Sequence, residues 1–97
     1  MNESRTISIS PRPKLVFAEG RTVLLLGLEL KLTEGEYTLL RLIYSRAPQT
    51  VTADDAGLSP AVLTATVFNI NKKAALISGR KLIVSCRGRG YTLSNCP

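Results

Sequence analysis

The chain has 97 residues, with 13 Lys+Arg against 7 Asp+Glu, two Cys, and neither His nor Trp. That length suits one small domain with a modest core, and 44% apolar content argues for a folded globule over a disordered basic tail. The absence of His excludes Ser-His-Asp and Cys-His nucleophiles, and a zinc site would have to manage with two Cys and carboxylates. The formal charge of +6 points to an anionic partner, and it is unevenly spread. Residues 1–55 hold seven basic side chains and all seven acids, whereas residues 56–97 hold Lys72, Lys73, Arg80, Lys81, Arg87 and Arg89 with no acid.

In chain order, residues 1–13 are rich in Ser and Pro and read as a flexible N-terminal segment, with an edge pairing near Ile7–Ile9. Residues 14–97 form the domain proper. Three strand-like runs come first: Lys14–Ala18, Thr22–Leu26 and Leu28–Leu32, separated by the Glu19-Gly20 turn and by Gly27. In the last of these, Leu28, Leu30 and Leu32 alternate with Glu29 and Lys31, which predicts one buried and one wet face. Thr33-Glu34-Gly35-Glu36 is a capping box, with Leu32 and Tyr37 at the positions of a hydrophobic staple. The helix it opens carries Tyr37, Leu40, Ile43 and Tyr44 at helical spacing and ends at Pro48, with acids in its first turn and Arg46 in its last. Tyr37 is expected in the core, not as a stacking platform.

Thr52 caps a brief second helix through Ala53-Asp54-Asp55-Ala56, and these adjacent carboxylates open a helix and carry no catalytic pairing. Gly57-Leu58 makes a turn, and Ser59-Pro60 is a cap followed by proline at the first helical position. The third helix runs from Pro60 to about Ile77 with an apolar stripe of Leu63, Val67, Ile70, Ala74 and Ile77. A step of 100° per residue puts Ala61, Ala65, Phe68, Asn69, Lys72 and Leu76 on the opposite face. Lys81–Cys86 and Tyr91–Asn95 read as a hairpin around Arg87-Gly88-Arg89-Gly90. Tyr91, like Tyr37, is expected in the core. In that hairpin Cys86 faces Tyr91 and Cys96 falls at the far end, roughly 15 Å away along the strand. Disulfides need Cα atoms within about 7 Å, so both cysteines are expected as free thiols suited to a reducing cytoplasm. The longest apolar run, Thr22 to Leu32, is too short and too interrupted to span a membrane, and the polar N-terminus does not read as a signal peptide.

A short helix and a glycine turn feeding a second helix is the helix-turn-helix plan, whose second helix enters the major groove. Ala53 lies four residues before Gly57 and Leu63 six after: a small residue at the helix crossing, a glycine where φ is positive, an apolar residue where the second helix docks. Two arginines between glycines add a cationic tip suited to phosphates or a minor groove.

Leu32-Thr-Glu-Gly-Glu-Tyr-Thr-Leu-Leu-Arg-Leu-Ile43 resembles the opening of the first helix in OmpR/PhoB-type winged-helix DNA-binding domains. Ile83-Val-Ser-Cys-Arg-Gly-Arg-Gly-Tyr-Thr-Leu93 resembles the hairpin that ends them. The resemblance spans residues 14–95, and Arg-Gly-x-Gly-Tyr is its most specific part. It implies an α+β winged helix-turn-helix: a four-stranded N-terminal antiparallel sheet, three helices and a C-terminal β-hairpin wing. In that family the domain is the output module of a bacterial transcriptional regulator. By resemblance Arg87 reaches the minor groove, Ala65, Thr66 and Asn69 face bases, and Lys72 and Lys73 sit near phosphates. The candidate DNA-contacting set is thus Thr64, Ala65, Thr66, Phe68, Asn69, Lys72, Lys73, Arg87 and Arg89.

Two departures stand out. The stretch from Val51 to Pro60 is shorter than usual, so the second helix must be stubby, and Phe68, Asn69 and Asn71 stand where the family places arginines. Asn can pair with adenine, and Ala or Phe can contact thymine methyls. Equally, an apolar outer face centred on Phe68 can dock a protein, and Phe68 can also fold inward against the wing. The expected partner is double-stranded DNA, bound by a single copy, a homodimer or copies in tandem, with a protein partner through Phe68 as the alternative. No enzymatic activity, cofactor, metal or small-molecule substrate is expected.

Overall fold

The computed structural model describes residues 15–94. The N-terminal segment 1–13 and the edge pairing near Ile7–Ile9 lie outside the described residues. Three short strands, β1 (Leu15–Ala18), β2 (Thr22–Leu25) and β3 (Leu28–Glu29), form an antiparallel sheet in the order β1-β2-β3. Helices α1 (Glu34–Arg46), α2 (Ala53–Ala56) and α3 (Pro60–Ser78) follow, and a hairpin of β4 (Ile83–Cys86) and β5 (Gly90–Leu93) completes an α+β winged-helix layout. The resemblance implied four N-terminal strands; the described residues contribute three. Among them no helix is long and apolar enough to cross a membrane.

β2 and β3 are joined by the two residues Leu26 and Gly27, both at positive φ (54° and 84°), with Leu25 paired to Leu28. Positive φ at both central positions is the geometry whose twist matches a two-residue hairpin. This tight reversal leaves β3 only two residues long, and Leu28 is 58% exposed. The predicted alternation therefore buries its apolar face only from Leu30 onward, where the Leu30 N–H donates to the Val23 carbonyl at 2.8 Å.

α1 begins as the capping box requires. The Glu36 N–H donates to Thr33 Oγ1 (3.3 Å) and the Thr33 N–H to Glu36 Oε1 (3.0 Å). Phe17 of β1 meets Tyr44 and Tyr37 edge-on, with ring centroids 4.9 and 6.1 Å apart, and Arg41 lies over the Phe17 ring. Tyr37 is thus part of the sheet–helix seam. Val23 and Leu25, Leu40 and Ile43, Val51, Ile70, and Ile83 and Leu93 are sealed from solvent and draw sheet, helices and hairpin into one core.

The hairpin differs from its predicted register by one residue. Cys86 pairs with Gly90 and Ser85 with Tyr91, closed by the three residues Arg87-Gly88-Arg89 with the Arg89 N–H on the Cys86 carbonyl (2.8 Å). Gly90 joins the strand because Val51 crosses it closely. Val51 and Tyr91 exchange two backbone hydrogen bonds (2.7 and 2.9 Å), and a Cβ on Gly90 would stand 2.4 Å from the Val51 carbonyl oxygen.

The expectation of two free thiols also fails. Cys86 is disulfide-bonded, and the only other cysteine in the chain is Cys96, which lies outside the described residues. The 15 Å separation assumed a strand running to Asn95, whereas β5 ends at Leu93, opposite Ile83. With Cys86 in a disulfide, the cysteines no longer point to a reducing compartment.

Replacing Gly90 by Ala combines this clash with a φ of 116°. It should cost about 2–4 kcal/mol, whereas Gly88→Ala, at φ 71° with open space around it, should cost about 1 kcal/mol. Chemical denaturation of the two variants measures the difference.

Candidate nucleic-acid interface

The helix-turn-helix forms through local hydrogen bonds at each end of α2. Its start is a second capping box: the Asp55 N–H donates to Thr52 Oγ1 (3.2 Å) and the Thr52 N–H to Asp55 Oδ2 (3.0 Å). These Thr52 bonds, N–H first, hold the Asp55 carboxyl below its usual range, aided by Arg46 at 3.9 Å. Asp55 is therefore a capping residue. At the other end Gly57 adopts φ 68°, its N–H donates to the Asp54 carbonyl (3.1 Å), and the Leu58 N–H donates to Ala53 (3.0 Å). This is a Schellman closure. Ser59 then caps α3 by accepting the Val62 N–H at 3.2 Å, with Pro60 at the first turn.

α3 buries Leu63, Val67, Ile70 and Ala74, with Ile77 half-buried, as its spacing predicts. All six residues assigned to its outer face, Ala61, Ala65, Phe68, Asn69, Lys72 and Leu76, are exposed. Phe68 is 63% exposed and Leu76 85%, so Phe68 faces solvent and is not folded against the wing.

The flanks of α3 are tied down on both sides by contacts the sequence did not announce. On the hairpin side, Asn71 Oδ1 accepts the N–H groups of Leu82 (2.9 Å) and Ile83 (2.7 Å), and its Nδ2 donates to the Ile83 carbonyl (2.8 Å). Two turns nearer the N-terminus on that flank, the hydroxyls of Thr64 and Tyr91 share a hydrogen bond at 3.3 Å. Tyr91, expected in the core, is thus half-buried with its hydroxyl at the edge of the interface. On the α1 side, Lys73 Nζ reaches Glu36 Oε1 at 2.6 Å, and the Glu36 side chain is only 8% exposed. Lys73 was expected near phosphates; its ammonium is instead spent on the scaffold. Thr66, on the same flank, turns its hydroxyl back to the Val62 carbonyl (2.8 Å).

What remains uncommitted is well defined. Among the described residues, the side chains of Asn69, Lys72, Arg80, Lys81, Arg87 and Arg89 make no hydrogen bond or ion pair. Arg87 and Arg89 are exposed on the hairpin loop. No acidic side chain occurs anywhere in residues 56–97 to neutralise them. The arrangement can bind an anion along the hairpin and the C-terminal half of α3, while the centre of the outer face offers methyl groups, one ring and one amide. Signals for the flank contacts were faint: a lone Asn bordering the buried stripe, and a Glu already assigned to a cap.

Asn71→Leu keeps the volume but strands three backbone groups of Leu82 and Ile83. It should lose about 2–4 kcal/mol, read by denaturation, with faster amide exchange at Leu82 and Ile83. For Glu36, burial pushes the carboxyl up, but the Lys73 ammonium and the Thr33 N–H and hydroxyl together outweigh it, and the group titrates below its ordinary range. A depressed folded-state value means a stabilisation complete above the ordinary glutamate range and lost as pH falls through the depressed value. Glu36→Gln should lower stability at neutral pH by about 1–2 kcal/mol. Its unfolding midpoint should also fall less steeply than the parent's on acidification, and equal slopes would contradict the assignment.

No protein-family model matches the chain, and no curated protein matches it significantly, so the site's own chemistry carries the functional assignment.

Proposed function

We propose that the chain is a sequence-specific double-stranded-DNA-binding module of a bacterial transcriptional regulator, of the OmpR/PhoB winged-helix type that its motifs resemble. In this reading α3 lies in the major groove and the β4–β5 wing meets the minor groove and phosphates. The observation that carries it is a helix tied along both flanks, with a free outer face beside a hairpin whose tip holds two uncommitted arginines. Lys72, Arg80, Lys81, Arg87 and Arg89 supply phosphate contacts, and Ala65, Phe68 and Asn69 face bases. Thr64 and Thr66 line the groove with their hydroxyls already engaged. The same reading assigns the chain to the bacterial cytoplasm on the ground of its DNA partner alone, since the Cys86 disulfide is a bond more common outside a reducing compartment; it would act singly, as a homodimer or in tandem on DNA. A protein partner docked on Phe68 and Leu76 is the second reading, and their exposure favours it.

Three to five neutralised phosphates give a slope of log K against log salt of about −3 to −4.5. The double variant Arg87→Ala/Arg89→Ala should weaken binding to every duplex and flatten that slope by about 2. Fluorescence anisotropy across a salt series measures both. A flat parental slope, or no binding to any duplex at low salt, refutes the proposal.

A further inference from the structure

The outer face of α3 has a composition that selects among base pairs. Its exposed positions are Ala61, Val62, Thr64, Ala65, Phe68, Asn69, Lys72, Ala75 and Leu76, with no Arg, Gln, Asp or Glu among them. The side chains that read guanine by a bidentate fork or accept from the cytosine amino group are thus missing. Thr64 and Thr66 have their hydroxyls on Tyr91 and the Val62 carbonyl, so what they retain for a ligand is chiefly methyl. Asn69 keeps a free amide, which matches adenine N6 and N7. Lys72 is the one outward cation, in the C-terminal half of the helix. Base edges are met from the N-terminal half of a recognition helix, so Lys72 meets phosphate.

We infer that this face reads A·T pairs in the major groove, with Ala65 and Phe68 against thymine C5-methyl groups and Asn69 on an adenine. The inference rests on the DNA-binding reading above and names its substrate class. Charge complementarity supports nucleic acid over a second copy of the chain. Lys72 sits in the middle of the apolar arc, and apposed copies would bring like charges together with no acid from residues 56–97 to relieve them. The wing points the same way: A·T-rich tracts have a narrow minor groove whose enhanced negative potential attracts inserted arginines, and Arg87 and Arg89 are free to enter it.

The test is selection from a random duplex pool at low salt, followed by resynthesis of the winning duplex with deoxyuridine for thymidine. That exchange removes only the C5-methyl groups and leaves base pairing intact. The expected result is an A·T-rich motif, about tenfold weaker binding of the uracil duplex, and loss of that sensitivity in Phe68→Ala. Asn69→Ala should relax preference at one or two A·T positions. Phe68 and Asn69 are both exposed, so the variants retain the core, and binding to the uracil duplex reports that they are folded. A G·C-rich motif, an absence of preference, or indifference to uracil with duplex binding intact overturns this inference and leaves DNA binding standing. Failure to retain any duplex removes the DNA-binding reading and the inference with it.

Discussion

The relation between the third helix and the hairpin hangs on one amide. Asn71 satisfies two N–H groups and one carbonyl of the segment that begins β4, groups that would otherwise be buried without partners. Buried apolar side chains contribute about 1.5–3 kcal/mol each, and a net hydrogen bond about 0.5–1.5 kcal/mol. The stripe of Leu63, Val67 and Ile70 therefore holds α3 on the core. A stripe is tolerant of small rotations, however, whereas three directional bonds on one flank and the Lys73–Glu36 pair on the other are not. Apolar burial supplies the energy, and the polar flanks choose which side chains face outward.

The same contacts sort the charges. In the scaffold, Arg21 lies 3.6 Å from Glu34, Arg46 3.9 Å from Asp55, and Arg41 is engaged with Tyr37 and the Phe17 ring. Exposed pairs of this kind add little stability, but they leave the first half of the domain nearly neutral. Lys73, drawn from the basic half, is used to neutralise the buried Glu36. The remaining cations of residues 56–97, Lys72, Arg80, Lys81, Arg87 and Arg89, are all uncommitted and belong to α3, its C-terminal connection or the wing. The +6 of the whole chain thus reappears as a local field and not as a diffuse surface charge.

Local features were legible from residues alone. Both helix starts at Thr33 and Ser59, the stubby α2, the Gly57 turn and the buried stripe of α3 depend on neighbours within a few positions, where capping and periodicity carry the information. Other features were not legible, and most depend on residues far apart in the chain. The hairpin register turned on Val51 crossing Gly90, a contact between segments some forty residues apart that nothing near the loop reveals. The burial of Leu28 failed because a two-residue turn shortened β3, and alternation says nothing of where a strand ends. Lys73 was read as a phosphate ligand because the resembled family ends its recognition helix with basic residues; only the packing of α1 beside α3 supplied Glu36. On the site itself, the outer face was read correctly as a surface, while the division of its polar groups into engaged and free required the folded flanks.

If the proposed DNA-binding reading holds, that division bears on how much a single copy can discriminate. Phosphate contacts raise affinity without regard to sequence, and the free cations here are well placed for that task. In the proposed DNA-binding reading discrimination falls to Asn69, Ala65 and Phe68, and each good base contact separates right from wrong by about 1–3 kcal/mol. Two or three such contacts distinguish a site only a few base pairs long, far fewer than a genome requires for unique addressing. Tight, nonspecific grip combined with short readout favours recognition by more than one copy, since neighbouring domains on adjacent half-sites multiply their discrimination while sharing the electrostatic attraction. On this view the apolar centre of α3 is not a defect in a basic interface: the charged rim holds the helix in the groove long enough for weak methyl contacts to matter.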